Sequence, residues 1–152
     1  MSLEFDEYVA TTIEDDSVIQ SYMGGTIDDS RLYPWNPPFD PTFSSTYPGA
    51  LFFMSDQYER PDEYFSYPSQ KGDIVFRFQV VANDKTLVRQ ITDQLVLLFE
   101  DIPITTDSWR ALDVKVTGNL EGDQTGTPTN PLYTRLISFR FSTILKRSDT
   151  SP

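Results

Sequence analysis

The residues of this chain that could do chemistry are carboxylates, 23 of them among 152 residues, and no histidine or cysteine accompanies them. Without those two residue types there is no thiolate nucleophile, no disulfide, no Cys/His zinc site and no Ser-His-Asp triad, and the usual proton shuttle is absent. What remains is carboxylate chemistry. Glu14-Asp15-Asp16 and Asp28-Asp29 could bind calcium in principle, yet neither has the alternating oxygen spacing with glycine of a dedicated loop. The stretch NLEGD, residues 119–123, has oxygens and a glycine but no terminal bidentate acid at the loop spacing. A glycosidase needs only two carboxylates, but no pair here is set apart by its surroundings. Trp35 and Trp109 with nearby acids could form a sugar-binding surface, against the ordinary alternative of packing. No glycine-rich turn follows a strand and opens a helix, so a nucleotide cradle is missing. The expectation is no enzyme, no metal and no cofactor.

Charge placement narrows the partners. Residues 1–70 hold thirteen acids and two bases, which is the whole net charge of −11, while residues 71–152 balance ten of each. An acidic surface repels nucleic-acid phosphates, so sequence reading of DNA or RNA is not expected, although DNA could slide past such a surface without sticking. The opening residues carry acids where a signal peptide carries bases and an apolar core, and no apolar run reaches membrane-spanning length. A protein made and used in a cytoplasm, or in an assembly built there, with no membrane partner, is expected.

The elements that must position these residues follow from periodicity. A chain of this length suits one domain, 1–152. In LEFDEYVATTI, Phe5, Val9 and Ile13 fall four apart, which predicts a helix over about residues 3–14. Ser17 is positioned to cap a second turn that ends at Gly24-Gly25, with Tyr22 and Met23 folding back onto the core. Residues 30–48 mix prolines with the aromatics Tyr33, Trp35, Phe39, Phe43 and Tyr47, which reads as an extended loop: either a lid over one edge of the core or a subunit-contact surface. GALFFMS, residues 49–55, reads as a buried strand, and 56–73 as a hairpin extension projecting from the body, with Tyr58, Tyr64, Phe65 and Tyr67 as candidate contacts.

Beyond it, Ile74, Phe76, Phe78 and Val80 alternate in an interior strand whose second face is also partly apolar. Asn83 or Asp84 then caps a helix with a stripe of Leu87, Val88, Ile91, Leu95, Leu98, Phe99 and Ile102, ended by Pro103. Leu112, Val114 and Val116 are expected inward on the next strand, and Ile137, Phe139, Phe141, Thr143 and Leu145 on the last. The predicted fold is α+β: two helices packed on a four-stranded, mostly antiparallel sheet, with long loop and hairpin extensions.

This arrangement is similar to the tail completion, or tail terminator, proteins of long-tailed bacteriophages. The segments that carry the resemblance are SYMGGTIDDSRLYP after the first helix, PGALFFMS at the first strand, IVFRFQVVANDKTLVRQITDQLVLLFEDI as strand and long helix, and LDVKVTG and LISFRFSTILKR as closing strands. They are patterns of apolar positions and turns spanning most of the chain. The resemblance implies a structural virion protein of the phage neck, a homo-oligomer forming a hexameric ring. Such a ring caps the tail tube, ends its polymerisation and joins it to a head-side connector or stopper protein, with genomic DNA passing through the pore unbound. The loop and hairpin exceed the minimal family pattern, so partner contacts do not carry over. Tyr33, Trp35, Phe39, Phe43, Tyr58, Tyr64, Phe65 and Tyr67 are the candidate interface residues from the chain itself. Two rivals stand beside this reading: another neck or collar connector subunit, and an acidic DNA-mimicking interaction module.

Overall fold

The computed structural model describes residues 4–35, 41–60 and 71–145, with the side chains of 57–60, 71 and 145 outside the description. Helix α1, Glu4–Asp15, buries Phe5, Val9 and Ile13, the predicted face. Helix α2, Ser17–Met23, is capped one residue earlier than expected: the Asp16 carboxylate accepts from the Ile19 N–H at 2.9 Å, and Ser17 is the first helical residue. Gly24 ends α2 at φ 74°, where a side chain would be strained and a Cβ would lie 2.1 Å from the Thr46 carbonyl oxygen.

The strands are β1 (Leu32–Pro34), β2 (Gly49–Arg60), β3 (Lys71–Ala82), β4 (Ile104–Thr105), β5 (Trp109–Glu121), β6 (Thr125–Gly126) and β7 (Pro131–Leu145), with α3, Lys85–Phe99, between β3 and β4. They form one mixed sheet in the order β1-β2-β3-β7-β5-β4, with β6 attached to β7. Among the described residues there are therefore three helices and seven strands, and the expected two helices on four strands is corrected. The α+β class stands. The discrepancy lies in short pieces. Residues 32–34 sit inside the proline-aromatic segment expected to be loop, and they pair parallel with Leu51–Phe53 at the sheet edge, where Pro34, the last strand residue, is tolerated. The two-residue strands β4 and β6 are too short to leave a period.

The described part of the hairpin extension belongs to the sheet. Strands β2 and β3 pair without interruption from Gly49↔Ala82 to Arg60↔Lys71, so the described part of 56–73 continues the sheet ladder. Residues 61–70 lie outside the described residues.

On one face of the sheet, Ile74, Phe76 and Phe78 of β3 stand opposite Phe141, Phe139 and Ile137 of β7. Helix α3 lays Val88, Ile91, Leu95 and Phe99 onto this face, capped at its start by the Asp84 carboxylate accepting from the Thr86 N–H at 2.8 Å. The rings interlock: Phe76–Phe141 centroids are 4.9 Å apart, Phe99–Phe139 5.8 Å and Phe5–Phe141 6.0 Å. Each buried phenylalanine contributes about 1.5–3 kcal/mol from the water it leaves. Ile102, expected in the α3 stripe, lies past the helix end and is exposed. Leu112, expected inward, is 60% exposed, because a register shift between Ala111 and Asp113 turns it to the opposite face while Ala111 and Val114 stay buried.

Candidate functional site

Of the acidic positions that raised the question of metal chemistry, Asp16 and Asp29 are tied into local structure, Asp29 by the Arg31 N–H. Asp16 caps α2 and accepts from Gln94 Nε2 at 3.1 Å, and the Glu4 carboxylate accepts from the Ser108 N–H at 2.8 Å. Among the described residues, no three acidic side chains converge on a common point. Trp109 is buried in the core, so the paired-tryptophan surface with Trp35 does not form.

The feature that stands open is the second face of the sheet, opposite the helices. Strand register arranges it in rows. One row runs Tyr33, Phe52, Gln79, Leu136, Leu120 across β1, β2, β3, β7 and β5. The next holds Met54, Arg77, Ser138 and Gly118, and the one after it Asp56, Val75, Arg140 and Lys115. The first row is an apolar band interrupted by Gln79, with Leu136 37% and Leu120 66% exposed, and Met54, 39% exposed, widens it. The third row is charged. Arg77 is paired with Asp56, and Lys115 reaches Asp101 at 2.6 Å, a contact that raises the lysine pKa. Arg140 is exposed and has no ion-pair partner among the described residues. Such a face, with aromatic and aliphatic side chains to either side of Gln79, Arg77 and Ser138, has the mixed composition of a protein contact surface.

Of the candidate interface residues, Tyr33 and Trp35 belong to this region. The Tyr33 ring lies 5.6 Å from Phe52, and the Trp35 N–H donates to the Phe53 carbonyl at 2.9 Å, carrying the β1 ladder one residue further. Phe43 plays another part, as a platform beneath Arg31. Tyr58 is in β2 opposite Asp73, its side chain undescribed, and Phe39, Tyr64, Phe65 and Tyr67 lie outside the described residues.

Arg31 holds the corner where the loop meets the sheet. It is 3% exposed, sits at φ 60°, and donates to the carbonyls of Gly49 at 3.0 Å and Thr42 at 2.9 Å. Its guanidinium lies over the rings of Phe43 at 5.3 Å and Tyr47 at 5.4 Å. A planar fork with donors in its plane and a face that stacks on aromatic rings suits this role in a way lysine does not. The adjacent Tyr33 hydroxyl has its pKa raised, first by burial, with the Arg31 charge acting the other way.

Composition treats Arg31 as one base among acids, so its role was not visible there. The apolar band had a signal, the partly apolar second face of the β3 alternation, but only register across five strands assembles it.

No family model matches the chain, and no curated protein matches it. Among solved structures, it is similar to a chain of the "Virion of native gene transfer agent (GTA) particle", with a TM-score of 0.63 at 10% sequence identity, covering 91% of this chain and 92% of the other. At that identity the likeness establishes the fold, and it does so over nearly the full length of both chains.

Proposed function

We propose that this protein is a non-enzymatic structural component of a phage-like virion. The supporting observation is the whole-chain fold likeness to a chain of a gene transfer agent virion, at a TM-score of 0.63. In the finer reading, the protein is a tail terminator: a hexameric ring at the neck that caps the tail tube, stops its growth and joins it to the head-side connector, with DNA passing through the pore. Its place is then the virion, assembled in the host cytoplasm. The apolar band across the open sheet face gives such a subunit a surface for neighbours, and the surplus of acid in residues 1–70 disfavours adhesion of DNA.

Sedimentation over rising concentration, with negative-stain images of the same samples and of samples mixed with tail-tube ends, tests this reading. Closed rings that bind tube ends are expected. A monomer at every concentration, with no affinity for tube ends, overturns it. Rings that bind only the head-side connector would instead make the protein a collar or connector subunit. The concentration of negative charge favours an acidic DNA-mimicking module as the second reading. That module would bind a nucleic-acid enzyme in competition with DNA, steeply weakened by salt.

A further inference from the structure

Ile27 is 101% exposed, although isoleucine is among the residues most often buried. It stands in a closed turn: the Thr26 N–H donates to the Asp29 carbonyl at 2.7 Å, and the Asp29 N–H donates back to the Thr26 carbonyl at 3.2 Å and hydroxyl at 3.1 Å. Asp29 is further occupied by the Arg31 N–H at 3.0 Å, which ties the turn to the buried arginine. A β-branched apolar side chain is thus held in water on a fixed support, beside Asp28, which is exposed and has no ion-pair partner among the described residues. The turn follows α2, whose Ile19 and Met23 pack into the core on the helix side of the sheet.

The open sheet face offers the opposite combination. Its apolar band exposes Leu136 and Leu120, and Arg140, four residues along β7 from Leu136 on the same face, is a positive charge with no ion-pair partner among the described residues. In a chain of net charge −11, copies repel unless they meet where charge cancels. This face carries Arg77, Arg140 and Lys115 against Asp56, Asp73 and Asp113, a balance the first seventy residues lack. We propose that the partner on this face is a second copy of the same chain, whose Ile27 seats on the Leu120–Leu136 band while its Asp28 faces Arg140. Knob and band are different patches of the chain, so each copy offers its knob to one neighbour and its band to another, and repetition of that heterologous contact gives a ring or a filament. The inference rests on the oligomeric reading above and specifies which surfaces meet.

The test uses the full chain, which has no cysteine of its own. Ile27→Cys and Leu136→Cys proteins are prepared separately, mixed and oxidised. A cross-linked dimer is expected from the mixture and not from either protein alone. Cross-linking of Ile27→Cys to itself, or none from the mixture, overturns the arrangement. In parallel, Asp28→Arg and Arg140→Glu should each weaken self-association about tenfold, with urea midpoints unchanged because both residues are exposed. The chain carrying both reversals should recover association, which a merely structural effect would not do. If the parent protein associates and these substitutions leave it unaltered, the proposed contact is wrong while the oligomeric reading stands. If the parent is monomeric at every concentration the proposed contact is wrong, and if it also has no affinity for tail-tube ends the oligomeric reading fails with it.

Discussion

The two faces of the sheet are built from the same strands, yet they follow different rules. On the helix side, β3 and β7 place Ile74, Phe76, Phe78, Ile137, Phe139 and Phe141 in contact with one another and with α3, and all are 0–1% exposed. On the other side, the intervening residues Val75, Arg77, Gln79, Leu136, Ser138 and Arg140 mix apolar, polar and charged types in strict register with the first set. The difference teaches that alternation alone distinguishes buried from unburied positions but not solvent from partner. An inner position is selected for volume, since close-packed rings tolerate little change. An outer one is selected for what it presents.

The sharpest way to break this distinction is Phe78→Asp, which places an unpaired charge among Phe53, Phe99 and Phe139. Loss of cooperative folding by circular dichroism is expected, and a melt like the parent's would show that the two faces are not distinct. Leu95→Asp in α3 should behave in the same way.

Next in size is Arg31→Ala, which removes the guanidinium from the Gly49 and Thr42 carbonyls and from two rings at the edge where the faces meet. A cost of about 2–4 kcal/mol in urea unfolding is expected, with Arg31→Lys recovering only part of it. Gly24→Ala should cost about 1–3 kcal/mol, from positive φ and from the close Thr46 carbonyl, measured as a drop in melting temperature.

Leu136→Ser, on the outer face, sharpens the comparison from the other side. Stability should fall by about 1 kcal/mol, because the residue is already 37% exposed, while self-association by sedimentation falls. The smallest effect belongs to Tyr33. Its folded pKa is raised, so the neutral phenol's contribution is full below pH 10, the ordinary tyrosine value, and declines as pH rises through the higher folded value. Tyr33→Phe should remove this alkaline dependence, read by comparing urea midpoints above and below that pH.

Much of the helix-side architecture was legible in the sequence because its signals are local and repeated. The Phe5, Val9, Ile13 spacing, a cap at Asn83 or Asp84, of which Asp84 is the one used, and the β3 alternation each predict the structure seen. Leu112 was misplaced because a bulge adds one residue to β5 without marking itself in the composition, and one residue is enough to reverse a face. Strand β1 was hidden because its three residues owe their conformation to β2 rather than to their own propensity. The candidate site was legible only at Tyr33 and Trp35. Phe52, Met54, Leu120 and Leu136 come together through pairings between distant parts of the chain, and Phe43, an aromatic chosen for exposure, instead supports Arg31.

The position of β7 between β3 and β5 has a consequence for when a newly made copy becomes usable. Its ladder joins Ala82 to Tyr133 and Lys71 to Ile144, so residues 131–145 must be synthesised and inserted between two earlier strands before the sheet is continuous. Pairings of such long separation form slowly compared with helices. Until then Leu136 and Leu120 are not neighbours, and no finished outer surface exists. A chain halted before its final strand therefore cannot offer that surface to a growing particle, and the order of the strands acts as a check that only completed subunits pass.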